Sequence, residues 1–456
     1  MNLTSIKENI KKRGLTGAIK SYTKKFLETN SPNDSTDSHP YTILLLTNKD
    51  SDNVGDQVIE ACDVSILHAI MKNLNITNYK IVSKPATIVK EPYDQPTGAH
   101  LDHARQLIQE SDIVIYGGTP VFNYLYQTFY KRTSLTIDIA REYGKPVILS
   151  AIGVDRYDEG NEKCARIIEA INQPHVKMVT TRDNFDTLIK FRSPDNPDLP
   201  MDTVSDPAVF AGPVFRPFLS AKSGSTKKIG LFILRRNGFT DNHFDLPGSK
   251  AAQFWIDLAA ELERRGYDYE FLTSGHFGDE AFLDYMIRTC NVPPAKCIFN
   301  VNSPEFLAEK IASYDGVVSC RLHPSIISFA LNVPSIGINW NNKVSGFYHN
   351  IGYDNRVLYA EDLSVPDVAD TLEKIMKEGI QKDEDFIMSV YHTLFQALKD
   401  ILAPDSDLAP YTLTGLSEKL PPYGGTSEKE QLAKLRRKFR RTYQGYNKLF
   451  DKLSNQ

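Results

Sequence analysis

From Tyr41 onward the chain alternates short apolar, β-branched runs with helix-length segments, and it does so in two successive series. No other feature constrains the fold as much, because strands covered on both faces by crossover helices assemble into a buried parallel sheet. In the first series, residues 42–46, 113–116, 146–151 and 177–180 read as strands. Residues 56–74 have helical periodicity, and a helix starts at Asn184 and ends near Pro194. A polar stretch, 222–227, then separates this series from the next. In the second, strands are expected at 229–234, 269–272, 316–320 and 334–338, with helices at 251–265, 280–289 and 325–331. Gly266 follows the first of these helices as a C-cap. The expected fold is α/β, with two wound domains facing each other across a cleft.

Boundaries follow from the same pattern. Residues 1–40 form a basic N-terminal extension, 41–222 the first wound domain and 227–401 the second. Residues 402–427, rich in proline and glycine, read as a flexible tether, and 428–456 as a basic amphipathic helix. Net charge is −4, from 53 Lys and Arg against 57 Asp and Glu, which argues against a nucleic-acid partner. That charge is unevenly placed. Residues 1–30 carry a local +5 and 428–452 a local +6, so the body between them holds −15. In the C-terminal stretch Leu432, Leu435, Phe439, Tyr443, Tyr446, Leu449 and Leu453 share one helix face, among Lys434, Arg436, Arg437, Lys438, Arg440 and Arg441. Such a helix either lies on an anionic membrane surface or packs on the body or on another chain. Five scattered cysteines without a CxxC suggest a reducing compartment, and the N-terminus has no apolar run of the signal-peptide kind.

Residues able to do chemistry gather at the strand ends. Asn53-Val54-Gly55-Asp56 follows the first strand, where Asn53 or Asp56 can cap the next helix and Gly55 lets backbone approach a ligand. Gly117-Gly118 forms a strand-to-helix turn, which is either a plain turn or one whose N–H groups hold an anion. Arg235-Arg236 closes a buried strand, an expensive place for charge unless it faces a cleft or an anion. Arg182-Asp183 lies at another strand end, where an internal ion pair explains it equally well. The strongest segment is Ser319-Cys320-Arg321-Leu322-His323-Pro324, which sets a guanidinium and an imidazole two residues apart at a helix start. Lys343 lies at the next strand end. So many cations in an acidic body point to a small anionic ligand. No dinucleotide, P-loop or zinc-protease motif occurs, and neither Asp202 nor Ser205-Asp206-Pro207 has neighbours that would name a metal site.

In order along residues 42–353, the segments Asn53 to Asp56, Gly117-Gly118, Ser150 to Gly153, Thr181 to Asp183, Ser205 to Ala208, Ser319 to His323 and Lys343 to Phe347 resemble the polysaccharide pyruvyl transferase family. A departure falls at Thr119, where the family often has a third glycine. The resemblance implies two Rossmann-like domains in a GT-B-like arrangement and phosphoenolpyruvate as donor, with no cofactor and no metal. Pyruvate would pass to two hydroxyls of a lipid-linked or polymeric glycan as a ketal; the expected location is the cytoplasm, where the basic ends could hold the chain near the inner face of the membrane. Donor-binding roles fall on Arg235, with Arg236 one position away, and on Arg321 and His323; the N-terminal acid falls on Asp56. Asn53, Gly55, Gly117, Gly118 and Lys343 complete the expected donor site. Two alternatives stand beside this reading. One is a GT-B glycosyltransferase using a nucleotide sugar, with Glu305 or Asp315 for the ribose. The other is a non-catalytic glycan-binding relative.

Overall fold

The structure is a computed structural model that describes residues 40–89, 99–122, 129–220, 222, 226–360 and 363–454. The expected N-terminal extension lies outside these residues but for Pro40. Tyr41–Gln456 makes one compact unit containing two six-stranded parallel sheets.

The first sheet comprises β1 (Tyr41–Thr47), β2 (Tyr79–Pro85), β3 (Ile113–Gly117), β4 (Val147–Ile152), β5 (Val176–Thr181) and β6 (Met201–Thr203), in the spatial order β2-β1-β3-β4-β5-β6. The second comprises β7 (Lys228–Phe232), β8 (Asp268–Leu272), β9 (Cys297–Ile298), β10 (Gly316–Ser319), β11 (Ser335–Asn339) and β12 (Val357–Tyr359), ordered β12-β11-β10-β7-β8-β9. Strand order therefore reverses between β1 and β3 in one sheet and between β7 and β10 in the other. At such switch points adjacent crossovers leave in opposite directions and open a crevice beyond the strand ends. The loops after β1, β3, β7 and β10 carry Asn53, Gly117-Gly118, Arg235 and Arg321. Topology thus delivers the sequence candidates to the two crevices.

The strands expected from sequence are all present, within two residues at either end. Four further strands, β2, β6, β9 and β12, are short or only partly buried, and all four close the outer edges of their sheets. Fully buried apolar runs such as Ile43 to Leu46 advertise themselves, whereas half-covered edges do not.

Helix α1 (Val54–Asn73) follows β1 and is enclosed on nearly every side, with 16 of its 20 residues buried. One continuous apolar cluster runs from Ile43 and Leu45 of the first sheet through Val58, Ile66 and Ile70 to Phe232, Leu272 and Val317 of the second. The two halves therefore share a core. From the second half come α2 (Phe277–Cys290), α3 (Leu322–Ala330), α4 (Asn342–Asn350) and α5 (Glu384–Leu402). The expected boundary at 401 places helix α5 in the second domain, yet it returns to the first half. Ser205 donates twice there, its N–H to Ser389 Oγ at 2.9 Å and its hydroxyl to Ile387 O at 2.9 Å.

The expected tether at 402–427 is packed instead. It contains α6 (Leu413–Lys419), its Leu416 and Leu420 are fully buried, and Ser65 of α1 donates to Pro421 O at 2.7 Å. Proline and glycine signal absent regular structure, but Tyr411, Leu413 and Tyr423 still supply apolar surface to the core. Helix α7 (Glu428–Ser454) ends the described chain. Among the described residues no helix is long and apolar enough to cross a membrane.

Asp63, midway along α1, is 1% exposed and neither carboxylate oxygen has a hydrogen-bond partner among the described residues. Burial, with Asp206 adding repulsion, raises its pKa well above the carboxylate norm. The folded chain thus keeps a proton that the unfolded chain releases above about pH 4, so rising pH favours unfolding. Asp63→Asn removes that linkage without changing size. In urea melts the variant should be more stable than the parent at pH 7, with the gap closing toward pH 4. A gap that ignores pH would refute the assignment.

Candidate active site

The N-terminus of α1 projects into the second half. Val54 donates its N–H to Ser274 O, at the end of β8, at 2.7 Å. Asn53 caps the helix, its Oδ1 accepting the Gly55 N–H at 3.3 Å. That leaves the Asn53 amide nitrogen to donate to His323 Nδ1 at 2.9 Å. Gly55 is required here, because a Cβ would stand 2.2 Å from His323 Cβ.

His323 lies in the first turn of α3, directly beyond β10. With Nδ1 accepting from Asn53, the neutral ring carries its proton on Nε2, 3.6 Å from Asp56 Oδ1. Nε2 has no hydrogen-bond partner among the described residues. Burial lowers the His323 pKa well below the usual imidazole value, and Arg182, Arg321 and Lys343 push the same way. The ring is therefore neutral at physiological pH. Asp56, 6% exposed, moves oppositely: burial raises it to about 6, against hydrogen bonds from Ser51 and Asn48 and the charge of Arg182. The Asn48 amide donates to Asp56 Oδ2 at 2.9 Å. A neutral imidazole thus faces a carboxyl that exchanges its proton near neutrality.

Arg321 stands at the cap of α3, its N–H held by Ser319 Oγ at 2.9 Å. Its guanidinium stacks over Trp340 and donates from Nε to Asp279 Oδ2 at 2.8 Å, while Nη2 reaches Oδ1. Asp279, from α2, also accepts the Arg235 N–H at 2.8 Å. One fully buried carboxylate therefore fixes the loops after both β7 and β10. The Arg235 guanidinium pairs with Asp241, in solvent-exposed surroundings, at 2.8 Å. Arg236 turns away and covers the Tyr285 ring at 4.5 Å. Lys343, half-buried at the start of α4, has no ion pair among the described residues. It lines a small surface cleft with Arg182, Asp206, Leu322 and Asn350.

Structure brings Asn53, Gly55, Asp56, Arg321, His323 and Lys343 together, with Arg235 joined through Asp279. It does not grant the glycine pair its expected anion cradle. The Gly118 N–H donates to Ser150 O at 3.0 Å. Space for side chains is taken by α1, since a Cβ on Gly117 would meet Asp63 at 2.3 Å and one on Gly118 would meet Ile59 at 2.2 Å. Close helix packing explains both glycines. Arg182, which the sequence left between a site role and an internal pair, is buried against Asp206. Sequence reading missed Asp279 and His276, which caps α2 through Nδ1 at 3.2 Å from the Gly278 N–H. The glycine turn Ser274-Gly275-His276 at a strand end was the available signal.

A family model described as polysaccharide pyruvyl transferase matches residues 4–342. Among curated proteins none matches the chain. Of the solved structures, the UDP-GlcNAc 2-epimerase of Methanocaldococcus jannaschii aligns with a TM-score of 0.50 at 12% identity, over 78% of this chain and 98% of its own. The UDP-N-acetylglucosamine 2-epimerase of Rickettsia bellii gives 0.44 at 9%, over 80% and 99%. ADP-heptose LPS heptosyltransferase II of Escherichia coli gives 0.38 at 15%, over 74% and 99%. The likeness to the Methanocaldococcus jannaschii epimerase concerns the fold alone, two parallel α/β sheets of GT-B-like type.

The two arginine pairs should separate on mutation. Asp279→Ala strands a guanidinium that is 12% exposed and should cost about 3–5 kcal/mol. Asp241→Ala breaks an exposed pair and should cost at most about 1 kcal/mol. Urea denaturation measures both, and equal losses would contradict the burial argument.

Proposed function

This chain belongs to the polysaccharide pyruvyl transferase family, and from that premise we propose that it moves pyruvate from phosphoenolpyruvate onto two hydroxyls of a glycan sugar. The product is a cyclic ketal, phosphate is released, and the setting is synthesis of a surface or extracellular polysaccharide in the cytoplasm. The observation supporting this reading most directly is the meeting of His323 Nε2 and Asp56 Oδ1, 3.6 Å apart, beside Arg321 and Lys343.

Phosphoenolpyruvate presents a carboxylate and a phosphate on three carbons. Arg321, steered by Asp279, keeps Nη1 for one anionic group, and Arg235 can exchange its exposed Asp241 partner for the other. Lys343 adds a third cation. Neutral His323 then acts as a hydrogen-bond donor through Nε2 and not as an imidazolium acid. Asp56 takes the acceptor hydroxyl's proton as oxygen bonds to C2 and passes it on to solvent, while a proton from solvent reaches the methylene carbon, so the addition is proton-neutral overall. A second hydroxyl displaces phosphate at C2, and its proton leaves with the phosphate. The nucleotide-sugar reading has less to rest on. Glu305 accepts from Thr426 at 3.0 and 2.9 Å, and Asp315 accepts the Lys228 N–H at 2.9 Å, so both carboxylates serve packing.

Phosphate release should be measured with phosphoenolpyruvate and with sugar nucleotides, using a glycan acceptor. Release from phosphoenolpyruvate alone, reduced about 10²–10³-fold by Arg321→Ala, is the expected result. Unchanged release from that variant would refute donor binding at Arg321. The rate should also fall as pH drops through about 6, where Asp56 takes up its proton, and Asp56→Asn should abolish turnover at every pH. A parent profile flat down to pH 5 would exclude Asp56 as the base.

A further inference from the structure

Helix α7 is amphipathic, yet its charged side is the one turned inward. Lys434 reaches Gln57 of α1, Lys438 Nζ reaches Glu280 Oε2 of α2 at 2.5 Å, and Arg441 Nη1 reaches Asp52 Oδ1 at 3.2 Å. These cations, spaced four and three apart, form one face seated on an amide and two carboxylates of the body. The opposite face points to solvent. Leu432, Leu435, Phe439, Tyr443, Tyr446 and Phe450 are 43–74% exposed, and the last three rings stack at 6.4 Å spacings. A contiguous apolar ridge of this kind on a water-facing surface marks an interaction site.

We propose that this ridge is the surface by which the protein sits on a bilayer containing anionic lipids. Two features of the ridge favour lipid. Its outer residues are aromatic and leucine side chains, with tyrosines that combine an apolar ring and a polar tip, the type that settles at a membrane interface. Arg436 and Arg440 border it, exposed and without an ion pair among the described residues, and complement anionic headgroups. The inward ion pairs fix the helix in register, so ridge and arginines face the same way without rearrangement. A second copy of the chain fits less well, because ridge-to-ridge pairing sets the arginines of both copies against one another. The basic N-terminal stretch, at a local +5, meets the same repulsion. The helix touches Asp52, directly before the cap of α1, so a membrane-bound α7 holds that crevice beside the lipid surface. This proposal stands apart from the donor assignment and does not depend on it.

The test is flotation of the full chain with phosphatidylcholine vesicles, with and without 30% phosphatidylglycerol by design. Wild type should float with the anionic vesicles and at least about tenfold less with the neutral ones. The triple substitution Phe439→Ser, Tyr443→Ser, Phe450→Ser leaves the inward cations intact and should reduce flotation about tenfold or more. Arg436→Glu with Arg440→Glu should reduce it on anionic vesicles only. Both variants should unfold in urea at the parent midpoint, which reports on folding. Absent flotation of wild type, or unimpaired flotation of the triple variant, would overturn the proposal. So would a triple variant that changes oligomeric state in size-exclusion chromatography while vesicle binding persists.

Discussion

The insertion of the α1 N-terminus between the two sheets is the contact on which the rest of the molecule depends. The Val54 N–H closes on Ser274 O, and the Asn53 amide closes on His323. A glycine at position 55 permits both, since any side chain there would occupy the imidazole's place. This one turn of backbone joins the first switch point to the second. It also fixes which imidazole nitrogen is protonated and removes water from Asp56. Tautomer and pKa are consequences of packing here.

Burial and charge compete across the same few ångströms, and burial wins at both groups that matter. Arg182 favours the ionised form of Asp56, yet desolvation lifts that carboxyl to about 6. At His323 desolvation and three nearby cations act together, so the ring stays neutral. The positive groups around Asp56 and His323 would ordinarily hold the carboxyl ionised at low pH. Enclosing Asp56 restores a pKa suited to proton exchange near neutrality. The buried Arg182–Asp206 pair limits the excess, because its carboxylate answers the guanidinium before either reaches the dyad.

Much of this was legible in the sequence, and the failures share a cause. Asn53, Asp56, Arg321 and His323 stood out because strand-end positions in wound sheets are where side chains escape the core. Gly117-Gly118 looked like an anion loop, but glycine reports only that something comes close, and the neighbour proved to be α1. Asp279 carries no local signal. It matters through partners 42 and 44 residues away, a distance that no pattern within a window can bridge. Residues 402–427 misled in another way. Irregular backbone was read as freedom, while Leu416, Leu420 and Tyr423 were committed to the core by contacts across the fold.

Two wound sheets meeting at a crevice suggest a hinge, but the contacts here argue for a site assembled in advance. The apolar cluster passes without a break from the first sheet through α1 into the second, so separating the halves would expose core. Helix α7 adds ties on both sides, to Gln57 and Asp52 of the first half and to Glu280 of the second. Helix α5 and the strap after it do the same from the far side. A ligand entering this crevice finds Asp56 and His323 already opposed, and binding energy need not be spent on bringing them together. The moving parts are then the exposed ones. Arg235 can release Asp241, and Lys343 is free of an internal ion pair among the described residues, so the groups able to shift are cations around a rigidly held Asp56 and His323.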